Sequence, residues 1–306
     1  MTQPGIPNDF TLSTSCFGAR LRSIEDQAFA AVAMGFRDIE LGLSDAPPTL
    51  NGFEDTRRET GMKVTSVVSG CLKPRTQRMA SSMLASTDED EREMAFNSVR
   101  RHIQMSLALG SDVVILRSNS VADKGLRAVA RTLNDRLEAD GMDEPLADEV
   151  REYVRKVQKK GQRQLEHLCR SLHSLMKEFP DVRLAVEPGL SIDDLLSFDS
   201  MGWVLEDLSK HGLCYWHDVG RIHMRSTYGL PSHGDWLDRY GSRMIGVHLQ
   251  DAAEGEIEMP PGQGTVDFKL LAEYVPEGAA RVLEINPRHG RTEILTSVRF
   301  LMDLGF

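Results

Sequence analysis

Nowhere in its 306 residues does the chain hold the roughly 18 consecutive apolar residues that a membrane span requires. It opens on MTQPGIPNDF, with no basic segment leading into an apolar run, so no export signal is expected either. Basic charge is also short: 36 Lys and Arg stand against 46 Asp and Glu, a formal net charge of -10. Binding to a nucleic-acid backbone draws on clustered cations, so nucleic acid is not expected as the main partner. The four cysteines, Cys16, Cys71, Cys169 and Cys214, show no CxxC spacing and no dense framework, which points to reduced thiols in a cytoplasm. Phosphate-cradling loops are missing too: neither GxGxxG nor GxxxxGK with Ser or Thr follows any apolar run, which argues against a nucleotide-binding open sheet.

What is present is a chain of ordinary globular composition, 41% hydrophobic and 27% charged, able to bury a sizeable core. Eight short β-branched or apolar runs begin at Phe10, Asp38, Lys63, Asp112, Val182, Leu213, Met244 and Arg281. Helical patterns lie between them. Phe29, Val32, Ala33 and Phe36 follow the i, i+3, i+4, i+7 spacing, as do Leu165, Leu168, Cys169 and Leu172, and both stripes are expected to face a sheet. Ser23 with Asp26, and Ser191 with Asp194, match the capping-box spacing and predict helix starts. Strand and helix alternating eight times predict an α/β fold closed into a (β/α)8 barrel, one domain over residues 1–306, with a doubly wound open sheet as the alternative. Between the fourth and fifth strands, about 121–160 is charged and reads as helix with a break near DGMDEP, longer than a crossover needs. It predicts an extended helical insertion, whether surface hairpin, lid or subunit contact; with the exposed loops it would permit a homodimer.

Barrels of this kind carry their functional groups at the C-terminal ends of the strands. That rule isolates Glu187, Asp218, His248 and Glu284 at the ends of strands five to eight. Any one of them is explained by a helix cap or an ion pair. Four on consecutive strands suit a divalent ion, provided that they converge; a charge network is the other reading. Three carboxylates and an imidazole accept manganese or zinc, and also magnesium or cobalt.

The segments AVEPG, HDVG, GVHLQD, GQGTVDF and LEIN resemble the xylose isomerase-like barrels, which include sugar and sugar-phosphate isomerases and epimerases, and the resemblance runs from FTLSTSCFG to RVLEINP. It implies that the metal set falls on Glu187, Asp218, His248 and Glu284, and that Glu187 and Glu284 act as base and acid in α-proton transfer through a metal-stabilised enediolate. Two departures concern the substrate pocket. Arg221 stands where relatives often carry a substrate-contacting histidine, with His223 two residues on, and Pro188 and Gly189 follow Glu187 where many have Asn and His. A related DNA-repair endonuclease with three zinc ions needs histidines after the third and fourth strands; here those ends read VVSG and ILRS.

Cations recur at the same mouth: Arg20, Lys73, Arg75, Arg117, Arg221, Arg288 and Arg291. Because guanidinium pairs bidentately with oxyanions, Arg117, Arg221 and Arg288, with His223, are expected to bind a polyhydroxylated, phosphorylated or carboxylated substrate. His217 and His223 are the alternative bases; His217, adjacent to Asp218 on a strand, should face the other way and be structural. A lyase dehydrating a keto-inositol, or a barrel that binds sugar without turnover, are the competing functions.

Overall fold

Each of the eight runs forms a strand, and they pair in parallel until the sheet meets itself. The computed structural model describes residues 9–44, 49–72 and 80–306. Its strands are β1 (Phe10–Ser13), β2 (Asp38–Leu41), β3 (Lys63–Val68), β4 (Val113–Leu116), β5 (Arg183–Val186), β6 (Cys214–Asp218), β7 (Met244–Leu249), β8 (Asp251–Ala253), β9 (Glu256–Met259) and β10 (Ala280–Leu283). The closed barrel runs β1-β10-β7-β6-β5-β4-β3-β2, while β8 and β9 form a separate antiparallel hairpin. Around the barrel lie α1 (Ile24–Met34), α2 (Phe53–Thr60), α3 (Glu89–Ala108), α4 (Lys124–Asp140), α5 (Glu144–Glu178), α6 (Phe198–Asp207), α7 (Val219–Thr227), α8 (His233–Tyr240), α9 (Phe268–Tyr274) and α10 (Arg291–Asp303). The fold is a (β/α)8 barrel. Among the described residues no helix is long and apolar enough to cross a membrane.

The charged stretch 121–160 is helix on both sides of a break at 141–143, where Gly141 takes φ 72°. Asp123 and Asp143 cap α4 and α5 by accepting the N–H groups of Leu126 and Leu146. Of the two apolar stripes, Leu165, Leu168 and Leu172 are buried, and Cys169 is half-buried. Of the stripe at α1, Phe36 just past the helix is buried and Val32 packs against the core, but Phe29 and Ala33 do not face it. The buried face is Ile24, Gln27, Ala28 and Ala31, leaving Phe29 41% exposed, because small residues admit the close approach that the barrel requires there. Ser23 caps α1 as expected, but Ser191 and Asp194 close a turn; α6 starts later, on a capping box of Ser197 and Ser200.

Strand alternation sorts the side chains into two layers. Tyr215, Val247, Leu249 and Leu283 face the helices. Val68, Val113, Ile115, Ala185, Trp216 and Val282 plug the barrel interior. Gly246 lies opposite Trp216, and a Cβ there would overlap the indole. Gly246→Ala is therefore expected to destabilise the fold by about 1–3 kcal/mol through overpacking, read as an earlier midpoint in denaturant titration.

Candidate metal centre

The plug sets the floor of the site. Two residues further along each strand direction, alternation returns the next side chain to the interior: Arg117 above Ile115, Glu187 above Ala185, Asp218 above Trp216, His248 above Gly246, and Glu284 above Val282. Register sets Asp218 beside His248, and pairs His248 with Val282, so that Glu284 stands two residues further toward the C-terminal end of the barrel than His248. All four strand-end residues expected as ligands are brought together, each at most 1% exposed.

Their oxygens divide into two groups. Outward, Glu187 Oε1 accepts from Arg117 Nε and lies 3.1 Å from Arg221 Nη1, and Glu284 Oε1 accepts from Arg117 Nη2 at 3.3 Å. Asp218 Oδ1 accepts the Arg221 backbone N–H at 2.9 Å, so Asp218 also caps α7. Inward, His248 Nδ1 faces Glu187 Oε2 at 3.3 Å, Glu284 Oε2 at 3.4 Å and Asp218 Oδ2 at 3.7 Å. Arg221 Nε lies 3.1 Å from Asp218 Oδ2 as an ion pair. Glu187 Oε2, Asp218 Oδ2 and His248 Nδ1 are nonetheless buried without a hydrogen bond, an expensive condition unless something else satisfies them. Among the described residues they belong to the one set of three in which ligand-type atoms lie within 4.8 Å of one another. An ion about 2.0–2.2 Å from each donor would separate those donors by roughly 3–4 Å, so the spacing fits a divalent ion.

Electrostatics point the same way. Burial alone would raise the Glu187 carboxyl, but Arg117, Arg221 and His248 outweigh it and hold the group well below its ordinary value. Burial opposes the His248 imidazolium, yet Glu40 and Glu284 carry its pKa well above the usual histidine value. The buried carboxylates thus call for positive charge where the inward atoms meet, which a proton on His248 supplies and which an ion would have to displace.

Two further residues complete it, and neither was expected. Glu40 of β2 lies 3.1 and 3.2 Å from His248 Nε2 and accepts from Ser66 Oγ at 2.8 Å, which turns Nδ1 toward the carboxylates. The strand-end rule, applied to DIELG, would have found it. Gln250, two residues after His248 and on the same face, donates Nε2 to Asp218 Oδ1 at 3.3 Å and Glu284 Oε2 at 3.2 Å.

The cations separate. Arg117 and Arg221 join the centre, whereas Arg288 is exposed and paired with Glu256 of β9, Arg20 bonds the carbonyls of Cys16 and His289, and Arg291 bonds that of Ala33. Glu293 occupies the N-terminus of α10 by accepting the Gly290 N–H, which accounts for the NPRHGR segment without an anion. Lys73 and Arg75 lie outside the described residues. His223 is half-buried and bonded to Thr265 at 2.9 Å. His217 faces outward between Tyr215 and His233, and burial keeps it neutral. The GQGTVDF segment is held by Asp251, which accepts the N–H groups of Gly262 and Val266, and its Asp267 caps α9.

With this geometry in hand, the chain can be placed among known proteins. The family model described as xylose isomerase-like TIM barrel matches residues 28–304. No curated protein sequence matches the chain. Similar solved structures include a 3-keto-D-glucoside 4-epimerase from E. coli, 15% identical, covering 96% of this chain and 99% of that one with a TM-score of 0.65. A D-psicose 3-epimerase from Clostridium cellulolyticum H10, solved with D-tagatose, is 12% identical, with 97% and 99% coverage and a TM-score of 0.66. The IolI protein, solved with a zinc atom, is 10% identical, with 97% of each chain covered and a TM-score of 0.58.

Proposed function

The chain belongs to the xylose isomerase-like TIM barrel family, and from that premise we propose that it is a divalent-metal-dependent isomerase or epimerase of a sugar or sugar phosphate. The observation that carries this reading is the meeting of three buried ligand atoms without hydrogen bonds, Glu187 Oε2, Asp218 Oδ2 and His248 Nδ1, at the C-terminal end of the barrel. Those three would hold the ion and Glu284 would complete the set. Manganese or zinc suits the donors best, and the zinc seen in a similar barrel supports that choice. Two similar structures are epimerases of sugars, which supports a small polyhydroxylated substrate.

When bound, the ion would polarise neighbouring carbonyl and hydroxyl oxygens and stabilise the charge that develops as an α-proton leaves. The chain's own groups do the rest. Glu284 takes the proton, since Arg117 reaches it at 3.3 Å whereas both Arg117 and Arg221 pair with Glu187, and Glu187 is the counterpart. Arg117 and Arg221 fix both carboxylates and present positive charge to an anionic substrate. His223 and Arg288 are the outer contacts for the remainder of the substrate.

One observation favours a second reading. Two guanidiniums on Glu187 Oε1 make that carboxylate a weak base, and chemistry served by a single base, such as aldose–ketose isomerisation or dehydration of a keto-inositol, needs only Glu284. Elemental analysis of the purified protein, joined to exchange of substrate carbon-bound hydrogen with solvent deuterium across ketoses and ketose phosphates, tests the proposal. The expected result is about one divalent ion per chain and exchange only in the loaded protein. A chain that stays ion-free after loading with manganese or zinc is a charge network, and the enzymatic reading falls.

A further inference from the structure

Gln250 is neither charged nor an expected ligand, yet its amide touches two of the carboxylates that would surround the ion. We infer that Gln250, between β7 and the β8–β9 hairpin, is a positioning residue for the metal; the inference rests on the metal-centre reading above. Its Nε2 donates to Asp218 Oδ1 at 3.3 Å and to Glu284 Oε2 at 3.2 Å, spanning the ends of β6 and β10. With Oδ1 held by this amide and by the Arg221 N–H, Asp218 keeps Oδ2 aimed toward His248 Nδ1. An amide supplies both donors without adding charge, so it orients carboxylates without competing with a cation for them.

The rest of the amide is fixed just as firmly. Gln250 Oε1 accepts the backbone N–H of Glu258 at 2.7 Å, and the Glu258 carbonyl accepts the N–H of Asn286 at 2.7 Å. Glu258 takes φ 60°, a backbone conformation that residues with side chains rarely adopt, so the hairpin is bent to bring this peptide between the ends of β7 and β10. On the other side stands Gly220, in the first turn of α7. A Cβ there would collide with Oε1 and Cδ of Gln250. The glycine of HDVG thus makes room for the amide, and no positive φ requires it.

Gly220 offers a test that leaves every ligand in place. Calorimetric titration of the full chain with Co²⁺ is read for wild type, Gln250→Ala, Gly220→Ala and the double variant, beside the visible spectrum of bound Co²⁺ and the melting temperature of the metal-free protein. Each single variant is expected to weaken Co²⁺ binding on the order of 10–100-fold, the scale of losing an outer partner of a metal ligand. Both should alter the Co²⁺ absorption envelope, because Asp218 loses its fixed orientation. In the Gln250→Ala background Gly220→Ala should add nothing, since the group it displaces is already gone. Displacing the buried amide takes the acceptor from the Glu258 N–H, so metal-free Gly220→Ala should melt earlier than wild type. In the Gln250→Ala background the clash is gone and alanine, the better helix former, should cost no further stability; a purely structural role would lower the melting temperature and leave the Co²⁺ spectrum unchanged. Unchanged affinity and spectrum in Gln250→Ala, with wild type binding Co²⁺ normally, overturn the positioning role alone. Absence of Co²⁺ binding by wild type overturns the metal centre, and this inference with it.

Discussion

Arg117→Ala unfolds well before wild type when both are metal-free, with an expected loss of about 3–5 kcal/mol in urea titration. Arg117 is 7% exposed and bridges Glu187 and Glu284, themselves 1% exposed, so its removal leaves two carboxylates poorly compensated where water cannot reach them. Arg221 still faces Glu187 and Gln250 still meets Glu284, which places the loss within that range rather than beyond it. The pH dependence carries a definite sign. Glu187 is held well below its ordinary 4.5, so its contribution to wild-type stability is complete above that value and is lost as pH falls toward the depressed one. The variant lacks much of that contribution, and the gap between the two proteins should narrow on acidification. A divalent ion supplies the missing positive charge, so Mn²⁺ should recover more stability in Arg117→Ala than in wild type; saturation near 100 times Kd is worth about 2.7 kcal/mol.

The barrel and four strand-end residues were legible because both follow from periods. An eightfold alternation of β-branched runs with helical stretches fixes the architecture, and a period of two fixes which strand residue reaches the interior above the plug. What escaped has no local period. Phe29 fits a helical stripe by spacing, but the barrel selects the smaller face of Ala28 and Ala31. Ser191 and Asp194 have the right separation for a cap and close a turn instead, with the helix starting only at the capping box of Ser197 and Ser200. The β8–β9 hairpin is too short to announce itself, yet it brings the Glu258 N–H to Gln250. Nor does sequence say which partner a cation at the barrel mouth will choose. Arg117 and Arg221 turn inward to buried carboxylates, while Arg288 settles on exposed Glu256, a surface pair of little energetic weight.

Glu187 and Glu284 occupy matching positions, and the resemblance assigns both the double duty of ligand and proton carrier, but their surroundings separate these duties. Glu187 presents an unsatisfied Oε2 to the centre while two guanidiniums depress its basicity, the condition of a ligand. Glu284 has Arg117 on Oε1, and its Oε2, 3.4 Å from His248 Nδ1, already accepts from the Gln250 amide. Glu187→Gln should therefore lose the ion, since it exchanges an anionic donor for a neutral one in a set of three. Glu284→Gln should keep an ion, bound more weakly, while solvent exchange of the substrate α-hydrogen falls on the order of 10²- to 10⁴-fold, the usual worth of a positioned base. Metal content and deuterium exchange measured on the same two preparations read both outcomes. Equal loss of metal from the two variants would return Glu284 to the inner set and require another base, for which His223, half-buried and shifted toward neutrality by burial, is the nearest candidate on α7.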